Sequence, residues 1–169
     1  VINATNKAID KLKARYQAES LQLIGYSGGG AVAALVAARR IDVKRLVTVA
    51  GNLDHRRWTK LHGVSALSKS LNPADFRESL KTISQYHFVG QDDQIVPPQL
   101  IQEFIADFNP NADIILHSVP YFDHHCCWQK QWRSLLMEID RTSKTVINVN
   151  DGHNRNDSTV IKPNHAAIN

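Results

Sequence analysis

Gly25-Tyr26-Ser27-Gly28-Gly29 places a serine midway between two glycines in the pattern G-x-S-x-G. The apolar stretch LQLI at 21–24 precedes it, and the small-residue run GGGAVAALVAAR at 28–39 follows. A strand, a sharp turn and a helix in that order would hold the serine in a strained backbone conformation, with glycines sparing Cβ clashes. Its hydroxyl would stand above a sheet beside a helix N-terminus, whose partial positive charge favours a developing oxyanion. A glycine-rich turn cradling phosphate is the competing reading. The segment has neither the G-x-G-x-x-G spacing nor the lysine of such loops.

A serine hydroxyl is a weak nucleophile until a base takes its proton, and that base needs an acid to orient it. Parallel sheets gather their sites at the C-terminal ends of strands. Gly90-Gln91-Asp92-Asp93 follows the strand-like QYHFV at 85–89, and His124-His125 follows DIILHS at 113–118. The chain order is therefore serine, aspartate, histidine. Asp92 and Asp93 are candidates for the acid, and His124 and His125 for the base. The run His124-His125-Cys126-Cys127 also suggests zinc. Four adjacent residues cannot converge on one tetrahedral centre, and no second pair at ligand spacing completes a site. No metal is expected.

These groups need elements to position them. Residues 3–17 carry Ile9, Leu12 and Tyr16 at helical spacing. Strands are expected at 21–24, 45–50, 85–89 and 113–118. Helices are expected at 28–39, around 74–82, at about 98–108 behind Pro98, and at about 126–139. Residues 51–76 read as polar loop, with a turn at Asn72-Pro73. Trp58, His62 and the 55–70 segment read either as part of a cap over the site or as a packed surface loop. Trp128 and Trp132 are expected in the core, and His153 and His165 in solvent. Strands alternating with helices argue for βαβ units and a parallel sheet. From Arg141 onward the chain is rich in Asn and lacks aromatics. We expect one domain over 1–139 and a mostly irregular tail over 140–169, with a marginal hairpin at Asn150-Asp151-Gly152.

Three segments carry a resemblance: GYSGGGAVAALVAARR, HFVGQDDQIVPP and VPYFDHHCCW. Together they resemble the C-terminal part of an α/β-hydrolase-fold serine hydrolase of the esterase and lipase kind. A bacterial group of such hydrolases also carries a segment like TVAGNLDH, here Thr48 to His55. The resemblance covers roughly residues 1–138. It implies an α/β fold with a parallel sheet flanked by helices, truncated to its last four strands. Carried over residue by residue, it implies Ser27 as nucleophile, Asp93 as acid and His124 as base, with the Gly28 amide as an oxyanion donor. Asp92 then becomes a turn residue and His125 a neighbour; since some members of the fold take their acid from the loop after the preceding strand, Asp54 stays a rival to Asp93. The implied substrate is a small-molecule carboxylic ester or related acyl compound, and no cofactor is implied. The alternative is a binding domain that keeps the hydrolase shape without the chemistry.

Composition bounds the rest. At 169 residues, 43% hydrophobic and 21% charged, the chain fits a globular domain and excludes collagen-like and disulfide-scaffold classes. No apolar run is long enough to span a membrane. The net charge is +4, but its Lys and Arg are spread in short clusters such as Arg39-Arg40 and Arg56-Arg57. They form no stripe with interleaved aromatics, so a solvated basic surface is expected rather than a nucleic-acid partner. Cys126 and Cys127 are adjacent, and small buried residues at a helix start are expected over a vicinal disulfide. The chain starts at Val1 and has fewer strands than the resembling fold. We expect it to be part of something longer, which leaves compartment and oligomeric state open.

Overall fold

Four apolar segments pair in parallel: β1 (Leu21–Tyr26), β2 (Val43–Val49), β3 (Ser84–Gly90) and β4 (Ile114–Val119), in the spatial order β1-β2-β3-β4. The computed structural model describes residues 1–150, with side-chain surroundings through residue 139. The register runs Gly25–Thr48–His87–Leu116 across the sheet, so the C-terminal ends of the strands are level. Six of the seven residues of β3 are buried, the pattern of a parallel strand covered on both faces. This is the α/β arrangement the sequence implies.

Helices α1 (Ile2–Tyr16), α2 (Gly28–Ala37), α3 (His55–Leu61), α4 (Arg77–Leu80), α5 (Pro98–Ala106) and α6 (Trp128–Asn150) flank or follow the strands. The core gathers Leu46 and Val89 from the sheet with Leu53, Leu80, Ile101 and Phe104. Each such side chain contributes roughly 1.5–3 kcal/mol by leaving water. Small residues let α2 lie close to the sheet. Ala34 and Ala37 are fully buried, and a Cβ on Gly30 would come within 2.9 Å of the Gly51 Cα. α1 is held at its polar side, where Arg40 bridges Asp10 (2.7 Å) and Asp42 (2.8 Å) and Lys13 also pairs with Asp42. Arg40 and Lys13 hold the Asp42 carboxyl well below the usual carboxylate range.

Several expectations need correction. Residues 51–76 are not all loop: α3 lies within them, and Pro73–Phe76 forms a single 3-10 turn ahead of the four-residue α4. α3 is short and carries little apolar periodicity, so a polar reading of its sequence hides it. Its start is fixed by Asp54, whose side chain accepts the Arg56 and Arg57 amides. Cys126 and Cys127 form a vicinal disulfide, half-buried, in the turn before α6 rather than inside a helix. α6 continues to Asn150, so residues 140–150 are helical where irregular chain was expected. The chain divides into two compact units, Val1–Gln131 with the sheet and Trp132–Asn169 with most of α6. The suggested hairpin and His153 and His165 reach or lie outside the described residues.

Candidate active site

β1 ends at Tyr26 and α2 begins at Gly28, which leaves Ser27 alone to reverse the chain. It does so at φ 51° and ψ −122°, a conformation that L-residues rarely adopt. Neighbouring backbone over-determines it: Ser27 N–H donates to Val49 O at 2.9 Å, and Ser27 O accepts from Gly30 N (2.9 Å) and Asn52 N (3.2 Å). Gly25 makes the turn sterically feasible, because a Cβ there would meet Gly29 O at 2.3 Å. Gly28 and Gly29 are different. Both are exposed at the start of α2, and a Cβ on either would meet nothing within 4 Å.

The loop after β3 supplies a carboxylate with both oxygens engaged. Asp93 is fully buried; its Oδ1 accepts the Ile95 and Val96 amides, each at 2.8 Å. Its Oδ2 lies 2.8 Å from His124 Nδ1. Two amide bonds on Oδ1 fix this carboxylate and leave Oδ2 for the ring. Since a carboxylate only accepts, His124 carries its proton on Nδ1. On the far side of the ring, Nε2 lies 2.9 Å from Ser27 Oγ. With Nδ1 protonated in the neutral ring, Nε2 is the acceptor and the serine hydroxyl donates to it.

The turn bearing His124 is built by Asp123, whose Oδ1 accepts the amides of His125 (2.7 Å) and Cys126 (2.6 Å). Those bonds, Cys126 first, hold the Asp123 carboxyl below its ordinary range. Gly90 lets this loop cross the end of β3, since a Cβ there would meet Phe122 O at 2.3 Å. Tyr26 then ties the loop to β1: its hydroxyl donates to His124 O at 2.6 Å. Loss of solvent, and then the charges of Asp93 and Asp123, raise the phenol pKa, so it remains a donor.

Ser27, His124 and Asp93 therefore converge from three strand ends, while their rivals sit elsewhere. Asp92 is exposed, and its amide bonds Phe122 O. Asp54 caps α3, accepts from Asn72 Nδ2 at 2.8 Å and pairs with Arg57 and Arg77. His125 is exposed, its ring 5.3 Å from that of His124. Reading the sequence did not single out Tyr26, although it lies inside the G-x-S-x-G motif. Among the described residues no group of three or more His, Cys, Asp or Glu side chains could hold a metal ion.

The family model for serine hydrolase (FSH1) matches residues 3–134. The chain belongs to the serine hydrolase (FSH1) family. No curated protein matches it in sequence. Among solved structures, it resembles an alpha/beta hydrolase enzyme from a sediment metagenome of the Mar Chica lagoon, Morocco. There the TM-score is 0.61 at 18% identity, over 85% of this chain and 71% of that one. An alpha-beta serine hydrolase homologue from Coxiella burnetii matches at TM-score 0.58 and 15% identity, over 83% of this chain and 57% of that one. The esterase domain of a Rhodothermus marinus protein matches at 0.57 and 23%, over 73% and 59%. These likenesses show the α/β-hydrolase fold, of which this member of the family spans about three-fifths of the length in the last two cases. Among the described residues, no helix is long and apolar enough to cross a membrane.

Proposed function

We propose that this serine hydrolase cleaves carboxylic esters or related acyl compounds by a Ser27-His124-Asp93 triad. The observation that carries the reading is the continuous contact from Ser27 Oγ through both nitrogens of His124 to Asp93, at 2.9 and 2.8 Å. Ser27 Oγ attacks the carbonyl carbon as His124 Nε2 takes its proton. Asp93 keeps the ring in the tautomer that can accept at Nε2, and stabilises the imidazolium as it forms. The tetrahedral oxyanion sits at the Gly28 amide and the start of α2, where the helix dipole favours negative charge. Collapse expels the alcohol, which receives the proton from His124. Water then attacks the acyl-Ser27 ester by the same proton relay in reverse, releasing the acid and restoring the serine.

One amide is half of an oxyanion hole of the usual two donors, and a missing donor costs about 10²–10³-fold in rate. A segment beyond this chain would supply the second, in keeping with the fraction of the related structures that it spans. The test is hydrolysis of p-nitrophenyl acetate and butyrate, alongside labelling by a fluorophosphonate probe. Ser27→Ala should abolish both. Asp93→Asn should fold and lose roughly 10⁴-fold in turnover, as expected when the imidazole adopts the wrong tautomer. Labelling that survives Ser27→Ala would reject the assignment.

A further inference from the structure

Asp93 is aimed by the backbone of its own loop, and α3 grips that loop at one atom, the Ile95 carbonyl. Asp93 Oδ1 takes the amides of Ile95 and Val96, while the Ile95 carbonyl points the other way. Trp58 Nε1 donates to this carbonyl at 2.7 Å, and His62 Nε2 lies 2.9 Å from the same oxygen. A carbonyl only accepts, so His62 carries a proton on Nε2. Trp58 lies within α3 and His62 closes it. Four residues apart, they share one helix face, and their rings touch with centroids 4.8 Å apart. The two lone pairs of Ile95 O are thus filled by two donors from one element.

We infer that Trp58 and His62 are positioning residues for catalysis: a two-donor clamp on Ile95 that holds the loop orienting Asp93 against His124. The inference rests on the triad reading above. Two facts set it apart from ordinary surface bonding. First, Ile95 and the neighbouring Gln94 are exposed, so this turn of the loop is held by the clamp on one side and by the buried Val96 on the other. Second, α3 is itself anchored and so makes a firm base. Asp54 caps it and is bonded to the buried Asn72, while Arg57 reaches Asp107 at 3.0 Å beyond α5. Removing the clamp leaves the Ile95 peptide free to rotate. With it goes the Val96 amide, one of the two that fix Asp93 Oδ1, and then the direction in which Oδ2 faces.

The clamp predicts a particular pattern. Trp58→Phe and His62→Leu each leave one donor, so each alone should slow fluorophosphonate labelling of Ser27 by no more than about threefold. The double variant leaves none and should slow it by at least ten- to thirtyfold, more than the product of the singles. His62→Gln, whose amide N–H reaches about where Nε2 does, should restore most of the rate in the Trp58→Phe background. A proton magnetic resonance readout needs no turnover: the Nδ1 proton between His124 and Asp93 should give a low-field signal. That signal should be lost in Asp93→Asn, and weakened or lost in the double variant while its circular dichroism and melting stay close to the parent's. A double variant that labels at the parent rate and keeps the signal would overturn the clamp and leave the triad standing. A signal that persists in Asp93→Asn, or labelling that persists in Ser27→Ala, would instead overturn the triad and the clamp with it. If the double variant melts early, Trp58→Phe/His62→Gln beside Trp58→Phe/His62→Leu, at a temperature where both stay folded, decides: equal labelling of the two rejects the clamp.

Discussion

At the scale of single residues, the glycines of the motif separate into two kinds that the sequence presents as equivalent. Gly25 is buried, and any side chain there would collide with the backbone of Gly29 and Gly30, at 2.3–2.7 Å. Backbone cannot swing aside as a flexible side chain can. Gly25→Ala should therefore cost at least the 1–3 kcal/mol of ordinary overpacking, roughly, and displace Ser27 as it does so. Gly29 has open space where a Cβ would go, and lies inside α2. Gly29→Ala should range from neutral to about 1 kcal/mol more stable, since alanine loses less backbone freedom on entering a helix. Thermal unfolding of the two variants measures the contrast, and equal destabilisation would contradict it. The spacing of the motif was readable because the turn demands it. Which glycine carries the steric demand was not, because that depends on how closely α2 approaches β1 and β2.

At the scale of elements, the strands were legible because each is a short apolar run bounded by turn residues, and the structure moves their ends by only one or two positions. α3 was not, because what holds it is an Asp54 cap, ion pairs of Arg57 and two bonds to a loop carbonyl, none of which leaves a periodic trace. The interior of β3 holds another feature that type and spacing conceal. His87 is fully buried, with Nδ1 2.8 Å from Thr48 Oγ1 and no partner for Nε2. Burial disfavours its charged form and pushes its pKa down to about 3. An unfolded histidine titrates near 6.5, so between about pH 6.5 and 3 the unfolded chain binds a proton that the native chain refuses. The stability from a neutral His87 is therefore complete above about pH 6.5. It drains away as the pH falls through that window, by up to about 1.4 kcal/mol per pH unit. Denaturant unfolding between pH 7 and 4 should show this slope, and His87→Gln should flatten it by close to one proton. The same slope in both proteins would mean that His87 opens to water.

At the scale of the whole molecule, the two sides of β1 contrast. One edge pairs with β2 along its full length, and no other described strand pairs with it. Ile24 and Tyr26 on this strand are 45% and 44% exposed, and α1 buries none of its residues, leaving Leu12 and Tyr16 more than half exposed. Apolar positions at helical spacing in α1 lead one to expect a buried face, and among the described residues Leu12 and Tyr16 on that face meet solvent. An unpaired parallel strand with apolar side chains is a template for association, because its free N–H and C=O groups and its side chains gain partners together. The solved structures of this fold are longer than the part they share with this chain. The isolated chain should then self-associate at rising concentration, as sedimentation velocity would record. Ile24→Lys puts a charge on the edge without entering the core, and should shift that association to several-fold higher concentration while leaving fluorophosphonate labelling of Ser27 intact. A chain that stays monomeric at hundreds of micromolar would contradict this reading of the β1 edge.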